Sequence, residues 1–177
     1  MQQTQQNYFQ LFDLPQSFAL DTRALAENYR ELQSEAHPDR FAGAAEEEKM
    51  RAVQLTSFIN EAYATLKSPL QRAGYLLSLH GMDTEQVTQE DLGMDLLMEQ
   101  LQQREKLAAL PDDESALDKL AAMRTSATGR IQAREQAFAA HLDKGELDEA
   151  KKLFHELQFL YKLKSEIDRG EEERLGI

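Results

Sequence analysis

The sequence predicts an all-α protein of two domains, and three observations carry that reading. Almost every apolar segment repeats at steps of three and four residues, the spacing of a helix face. Runs of β-branched residues are few, so strands have little to build on. The breaks in the helical pattern fall at recognisable stops: Pro15, His37-Pro38-Asp39, Ser68-Pro69, Gly81, Pro111-Asp112 and Lys144-Gly145. A chain of 177 residues with 8 Gly, 4 Pro and 41% hydrophobic side chains can bury a core without covalent staples.

The first predicted element is a short aromatic helix from about Asn7 to Leu14, carrying Tyr8, Phe9, Leu11 and Phe12 and stopped by Pro15. The second runs from Asp21 to Ala36. Asp21 is its N-cap, with a carboxylate that accepts from orphan backbone amides. Leu20 and Leu25 flank that cap as a hydrophobic staple, and Leu25, Tyr29, Leu32 and Ala36 line one face. Proline lacks an amide donor and drives the preceding residue out of helical angles. His37 therefore marks the helix exit, and Pro38, Asp39 and Arg40 begin a loop. Polar residues on a loop between two packed helices are well placed to meet a partner.

The third helix, from about Ala44 to Leu66, has Ala52, Leu55, Ile59, Ala62 and Leu66 as its packing stripe against the second, antiparallel helix. Ser68-Pro69-Leu70-Gln71 resembles a capping box with proline at the first helical position. It opens a fourth helix from Pro69 to His80, which Gly81 stops. Met82 to Gly93 is polar and weakly patterned, which puts the domain junction there and divides the chain into residues 1–81 and 82–177. Three longer helices follow, at about Met94–Leu110, Asp113–Leu142 and Leu147–Arg169. Their short connections imply an antiparallel three-helix bundle.

Helical phase, at ~100° per residue, separates core positions from apolar residues that cannot join them. In the last helix Ala150, Leu153, Leu157, Leu160, Lys164 and Ile167 follow one stripe, and Phe159 projects to the opposite side. In the first bundle helix Met94, Leu97, Met98, Leu101 and Ala108 share one side; Leu96, Leu107 and Leu110 share the other. A bundle helix needs one apolar face, so the second meets either the N-terminal domain or a partner. Periodicity does not say which side turns inward. A partner face would join Leu97, Met98 and Leu101 to Phe159, with Glu99, Gln102 and Glu105 as a polar rim.

Composition removes several function classes. Cysteine is absent, so no disulfide or thiolate zinc site can form, and a reducing cytoplasm is expected. The start MQQTQQNYFQ has neither the basic residues nor the apolar run of a signal peptide. No segment reaches the ~18 apolar residues of a membrane span. Thirty-two acidic against 20 basic side chains give a net charge of −12, which argues against nucleic acid and anionic membranes and for a basic protein partner. His37 and Asp39 flank a proline, so their side chains are expected to diverge rather than form a relay; His80, His141 and His155 are scattered. There is no HExxH, glycine-rich phosphate loop or Ser-His-Asp setting. The expectation is a binding protein with no catalytic residues, metal or cofactor.

Taken together, the aromatic first helix, the His37-Pro38-Asp39 exit, Ile59-Asn60-Glu61-Ala62-Tyr63, Leu66, Ser68-Pro69 and Arg72 resemble a J-domain. With Arg72-Ala73-Gly74-Tyr75-Leu76-Leu77 leading into a helical bundle, and with Leu97-Met98-Glu99-Gln100-Leu101 and Leu157-Gln158-Phe159-Leu160, the chain after about Asn7 resembles the HscB family of co-chaperones. That resemblance implies an L-shaped arrangement of J-domain and three-helix bundle. It implies an HscA-type, DnaK-family chaperone ATPase as partner, met through His37, Pro38, Asp39 and Arg40 with Arg23 and Arg30 of the preceding helix. It also implies an IscU-type iron–sulfur scaffold protein, gripped by Leu97, Met98, Leu101, Glu105 and Phe159. Other readings are a J-protein with a different client, or a helical adaptor without chaperone coupling.

Overall fold

The computed structural model describes residues 6–88 and 91–177; the N-terminal five residues and Gln89-Glu90 of the expected junction lie outside the described residues. Two compact units divide the chain, Met1–Leu76 and Leu77–Ile177. Among the described residues all regular structure is helical: α1 (Tyr8–Leu11), α2 (Thr22–Ala36), α3 (Glu46–Lys67), α4 (Pro69–Leu79), α5 (Met94–Ala108), α6 (Leu117–Asp143) and α7 (Leu147–Leu175), with 3₁₀ turns at Pro38–Phe41 and Glu114–Ala116.

In the first unit α1 is shorter than its aromatic pattern suggests. Asn7 and Gln10 form a reciprocal capping box, each side chain accepting from the other's amide at 2.9 Å. The helix closes three residues before Leu14 because Asp13 takes a left-handed φ of 52°. The Leu14 amide then reaches the Phe9 carbonyl at 2.9 Å and the Asp13 amide the Gln10 carbonyl at 3.1 Å, a Schellman-type stop. The turn buries Phe9, Leu11 and Phe12 beneath the hairpin of α2 and α3.

Asp21 caps α2 as expected, accepting from the amides of Arg23 and Ala24 at 3.1 and 3.0 Å. The hairpin core is Leu25 and Ala36 against Ala52, Ile59, Ala62 and Leu66; Leu32 and Leu55 of the expected stripes are half-buried. Tyr29 and Tyr63 stack across the hairpin at 3.9 Å between centroids, and the Tyr29 hydroxyl donates to Asn60 Oδ1 at 2.7 Å. Pro69 opens α4, and the Gln71 amide donates to Ser68 Oγ at 3.3 Å. Arg72 is buried; its Nη1 donates to the Leu66 carbonyl at 2.7 Å, and its guanidinium lies 5.0 Å from the Phe18 ring centre. The fourth helix closes at Gly81, whose φ of 79° lets the Met82 amide turn back to the Leu77 carbonyl at 3.0 Å.

In the second unit α6 and α7 form a long antiparallel pair. Arg124 reaches Asp168, Arg134 reaches Glu156 and Tyr161 reaches Glu135, so residue numbers rise on one helix as they fall on the other. Leu120, Ala127, Ile131, Phe138 and Leu142 pack against Ala150, Phe154, Leu157, Leu160, Leu163 and Ile167. The α7 stripe differs from expectation at two places: Phe154 and Leu163 are buried where Leu153 and Lys164 are half-buried. Asp113 caps the 3₁₀ turn rather than the helix proper, accepting from the Ser115 amide at 2.9 Å, so α6 begins at Leu117. The last helix runs past the expected end at Arg169 to Leu175. Its extra turns are tied back by Arg124 pairing with Glu171, and by Arg174 Nε donating to the Pro111 carbonyl at 2.7 Å. Against this pair α5 is peripheral and has no buried residue.

Candidate functional site

Two places answer the sequence expectations, one in each unit. The first is the turn after α2. His37 leaves the helix at ψ 131°, and its carbonyl accepts from the Arg40 amide at 3.0 Å, closing a 3₁₀ turn where an open loop was expected. The imidazole folds over this turn, and Nδ1 accepts from the Asp39 amide at 3.2 Å. The divergence expected of His37 and Asp39 is therefore corrected: Nδ1 lies 3.6 Å from Asp39 Oδ2, close but outside hydrogen-bond range. The Asp39 side chain is 94% exposed, against 52% for His37. A carboxylate so presented on a closed turn is an acceptor looking for an external donor.

The turn is anchored from behind. Thr56 Oγ1 on α3 donates to the Ala36 carbonyl at 3.1 Å, satisfying the last acceptor before the exit. Thr56 was not among the expected functional residues; a hydroxyl beside Leu55 of the α3 stripe was its only sequence signal. The arginines of α2 are spread along the helix rather than gathered at this turn. Arg40 is exposed, Arg23 pairs with Glu27 at 3.4 Å on the surface of α2, and Arg30 Nε donates to the Ala26 carbonyl of its own helix at 3.3 Å.

The second place is α5, and the structure decides which side faces inward. Leu96, Leu107 and Leu110 are half-buried on the bundle side. Met94, Leu97, Met98 and Leu101 remain 73%, 43%, 50% and 54% exposed. Gln102 and Glu105 are exposed beside them, whereas Glu99 bonds to Arg130 of α6 at 2.5 Å and leaves the expected rim. Phe159 is the larger correction. Instead of joining an exposed patch it is half-buried, packed against the cluster of Leu120, Leu163 and Ile167, as are Leu107 of α5 and Leu110 just beyond that helix. Phase placed it off the main stripe correctly, but α5 covers the side on which it emerges.

The approach to α5 is pinned by a buried ion pair. Asp91 accepts from the Thr88 amide and hydroxyl at 2.9 and 2.7 Å and lies 3.1 Å from Lys151 Nζ on α7. Burial alone would raise its pKa, but these hydrogen bonds and the ammonium outweigh it and hold the carboxyl down to about 2. Among the described residues no three His, Asp or Glu side chains are grouped to hold a metal, and no helix is long and apolar enough to cross a membrane.

Residues 92–168 match the family model described as the HSCB C-terminal oligomerisation domain. Over nearly the whole chain the sequence is similar to a co-chaperone protein HscB homolog of Aeromonas hydrophila, 44% identical over 168 residues, covering 94% of this chain and 96% of the relative. Among solved structures it is similar to the chaperone HscB from Vibrio cholerae, with a TM-score of 0.86 and 38% identity over 94% of this chain and 98% of that one. The human co-chaperone protein HscB is also similar, with a TM-score of 0.84 and 26% identity over 94% of this chain and 83% of that one.

Proposed function

The chain belongs to the HscB family of co-chaperones, and we propose that it couples a scaffold protein to a chaperone ATPase during iron–sulfur cluster assembly. The turn at His37-Pro38-Asp39 engages an HscA-type ATPase and stimulates hydrolysis. Leu97, Met98, Leu101 and Glu105, together with Phe159, carry an IscU-type scaffold. No bond is made or broken on this chain; it has no catalytic residue, and it works in the cytoplasm.

The observation that carries this reading is the combination of a fixed backbone and a free carboxylate at one turn. Thr56, the His37 ring and the 3₁₀ hydrogen bond immobilise the turn, while Asp39 is 94% exposed. A preorganised acceptor loses little conformational entropy on docking, so its hydrogen bonds to a partner count nearly in full. Holding client and ATPase on one chain raises their effective concentration and times hydrolysis to the arrival of the client.

Single-turnover ATP hydrolysis by an HscA-type chaperone tests it. Wild-type protein should stimulate hydrolysis, more strongly with scaffold present. Asp39→Ala and His37→Gln should abolish stimulation while circular dichroism stays unchanged. Undiminished stimulation by Asp39→Ala would remove the turn from the mechanism. Stimulation without scaffold scores the turn, and the further rise on adding scaffold scores the α5 face, so the two can be read separately.

A further inference from the structure

We infer that Met98, with Met94 one turn before it, is a site of reversible sulfur oxidation, and that hydrogen peroxide releases the scaffold by converting these thioethers to sulfoxides. The inference rests on the reading of α5 as the scaffold face and adds how that face is regulated. Met94 and Met98 are spaced i, i+4 and form one row along α5; Leu97 and Leu101 form the row beside it. Half of this outward apolar face is therefore thioether. Cysteine is absent, so methionine carries all the sulfur in the chain and takes the oxidation that thiols would otherwise intercept. Exposure then sorts the methionines. Met94 and Met98 stand in solvent, whereas Met82 is half-buried and Met123 packs on the cluster of Leu120, Leu163 and Ile167. Met50, 63% exposed, lies on α3 in the first unit, away from the α5 sequence and its face, and serves as an internal control.

The step is balanced with peroxide as the only oxidant. A sulfur lone pair attacks one peroxide oxygen, the S–O bond forms as the O–O bond breaks, and the departing hydroxide collects the remaining proton as water. Sulfur loses two electrons and peroxide gains them. A dithiol-dependent methionine sulfoxide reductase returns the two electrons, releasing water and leaving a disulfide on the reductant. The product changes the face because a thioether is apolar and adaptable while a sulfoxide is a strong acceptor. Leu97 and Leu101 offer it no donor, and a surface complementary to an apolar face offers none either. Docking would then bury an unpaired polar oxygen, which opposes binding. In the free protein the same oxygen stays hydrated, so the fold is untouched.

The full chain is treated with hydrogen peroxide, which is removed by catalase before an IscU-type scaffold is added, so that only this protein is oxidised. Peptide mass spectrometry then locates the sulfoxides, and calorimetric titration reads scaffold affinity. Met94 and Met98 should oxidise ahead of Met123, and affinity should fall roughly tenfold with circular dichroism unchanged. Sulfoxide reductases for both epimers, with dithiothreitol, should restore it. The double variant Met94→Leu, Met98→Leu keeps the face apolar; it should bind within about threefold of wild type and lose nothing to peroxide. Met50→Leu should remain as sensitive as wild type. Undiminished affinity with both α5 methionines oxidised would overturn the inference. So would a double variant as sensitive as wild type, or oxidation of Met98 no faster than that of Met123. An untreated wild type that binds no scaffold defeats the proposed function instead; the order of oxidation, read without scaffold, still decides the site.

Discussion

Truncating Leu101 to alanine separates a docking residue from a core residue, and the structure sets the size of both effects. Leu101 is 54% exposed, so about half of its side chain remains to be buried by a partner. Full burial of a leucine is worth roughly 1.5–3 kcal/mol, which leaves about 1 kcal/mol for the interface and a five- to tenfold loss of affinity on truncation. Leu97, at 43% exposure, should behave alike. Folding should hardly change: alanine is the better helix former, and solvent-facing truncations stay within about 0.5 kcal/mol. Leu120→Ala is the control, since Leu120 is fully buried in the same unit. It should lower the unfolding free energy by about 2–5 kcal/mol while its folded fraction binds scaffold normally. Calorimetric titration with an IscU-type scaffold and urea unfolding on the same samples give both numbers. The reasoning fails if Leu101→Ala leaves affinity untouched, or if it costs the stability expected of Leu120→Ala.

Gly145 closes α6 at a φ of 74°, where a side chain is strained, so Gly145→Ala should lower stability by about 1–2 kcal/mol in urea unfolding with circular dichroism otherwise unchanged. Asp91 titrates lower in the folded chain, about 2, than its ordinary value of 3.8, so its contribution is present above about pH 4 and is lost as the pH falls towards 2. The difference corresponds to about 2 kcal/mol; the stability gap between wild type and Asp91→Asn should shrink over that window, and a gap constant from pH 7 to 2 would refute the account. The exposed charges of α2 are two arginines against three glutamates, with Arg23 already paired. Stimulation of the ATPase should therefore fall less than about threefold between 50 and 200 mM salt, because little counterion-dependent attraction is available to screen.

Much of the helical order was legible because its signals are local. The Asp21 cap, the Pro69 start and the Gly81 stop each depend on residues within one turn, and each appears where the pattern places it. The misplaced ends have non-local causes. Nothing adjacent to Arg169 says that α7 continues; the continuation is held by Arg124 on α6 and by the Pro111 carbonyl, forty or more positions away along the chain. The early end of α1 is the opposite case. Asp13 adopts a left-handed angle usually reserved for glycine, and an aspartate in that position looks no different from any other polar residue after a helix.

The candidate sites divide along the same line. A turn built on proline carries its geometry in three residues, and the folding of the His37 ring onto the Asp39 amide was missed only because hydrogen bonding to a neighbouring amide is invisible to side-chain spacing. The face of α5 was different in kind. Its two apolar sides are nearly equal in length, and a helix wheel has no inside until another helix supplies one. The bundle breaks that tie: Phe159 on α7 lines a cavity together with Leu96, and Leu107 and Leu110 pack on the cluster of Leu120, Leu163 and Ile167, which leaves Leu97, Met98 and Leu101 outward. The residue that phase left over on α7 and the face that phase left undecided on α5 meet across one cavity, and neither can be oriented without the other.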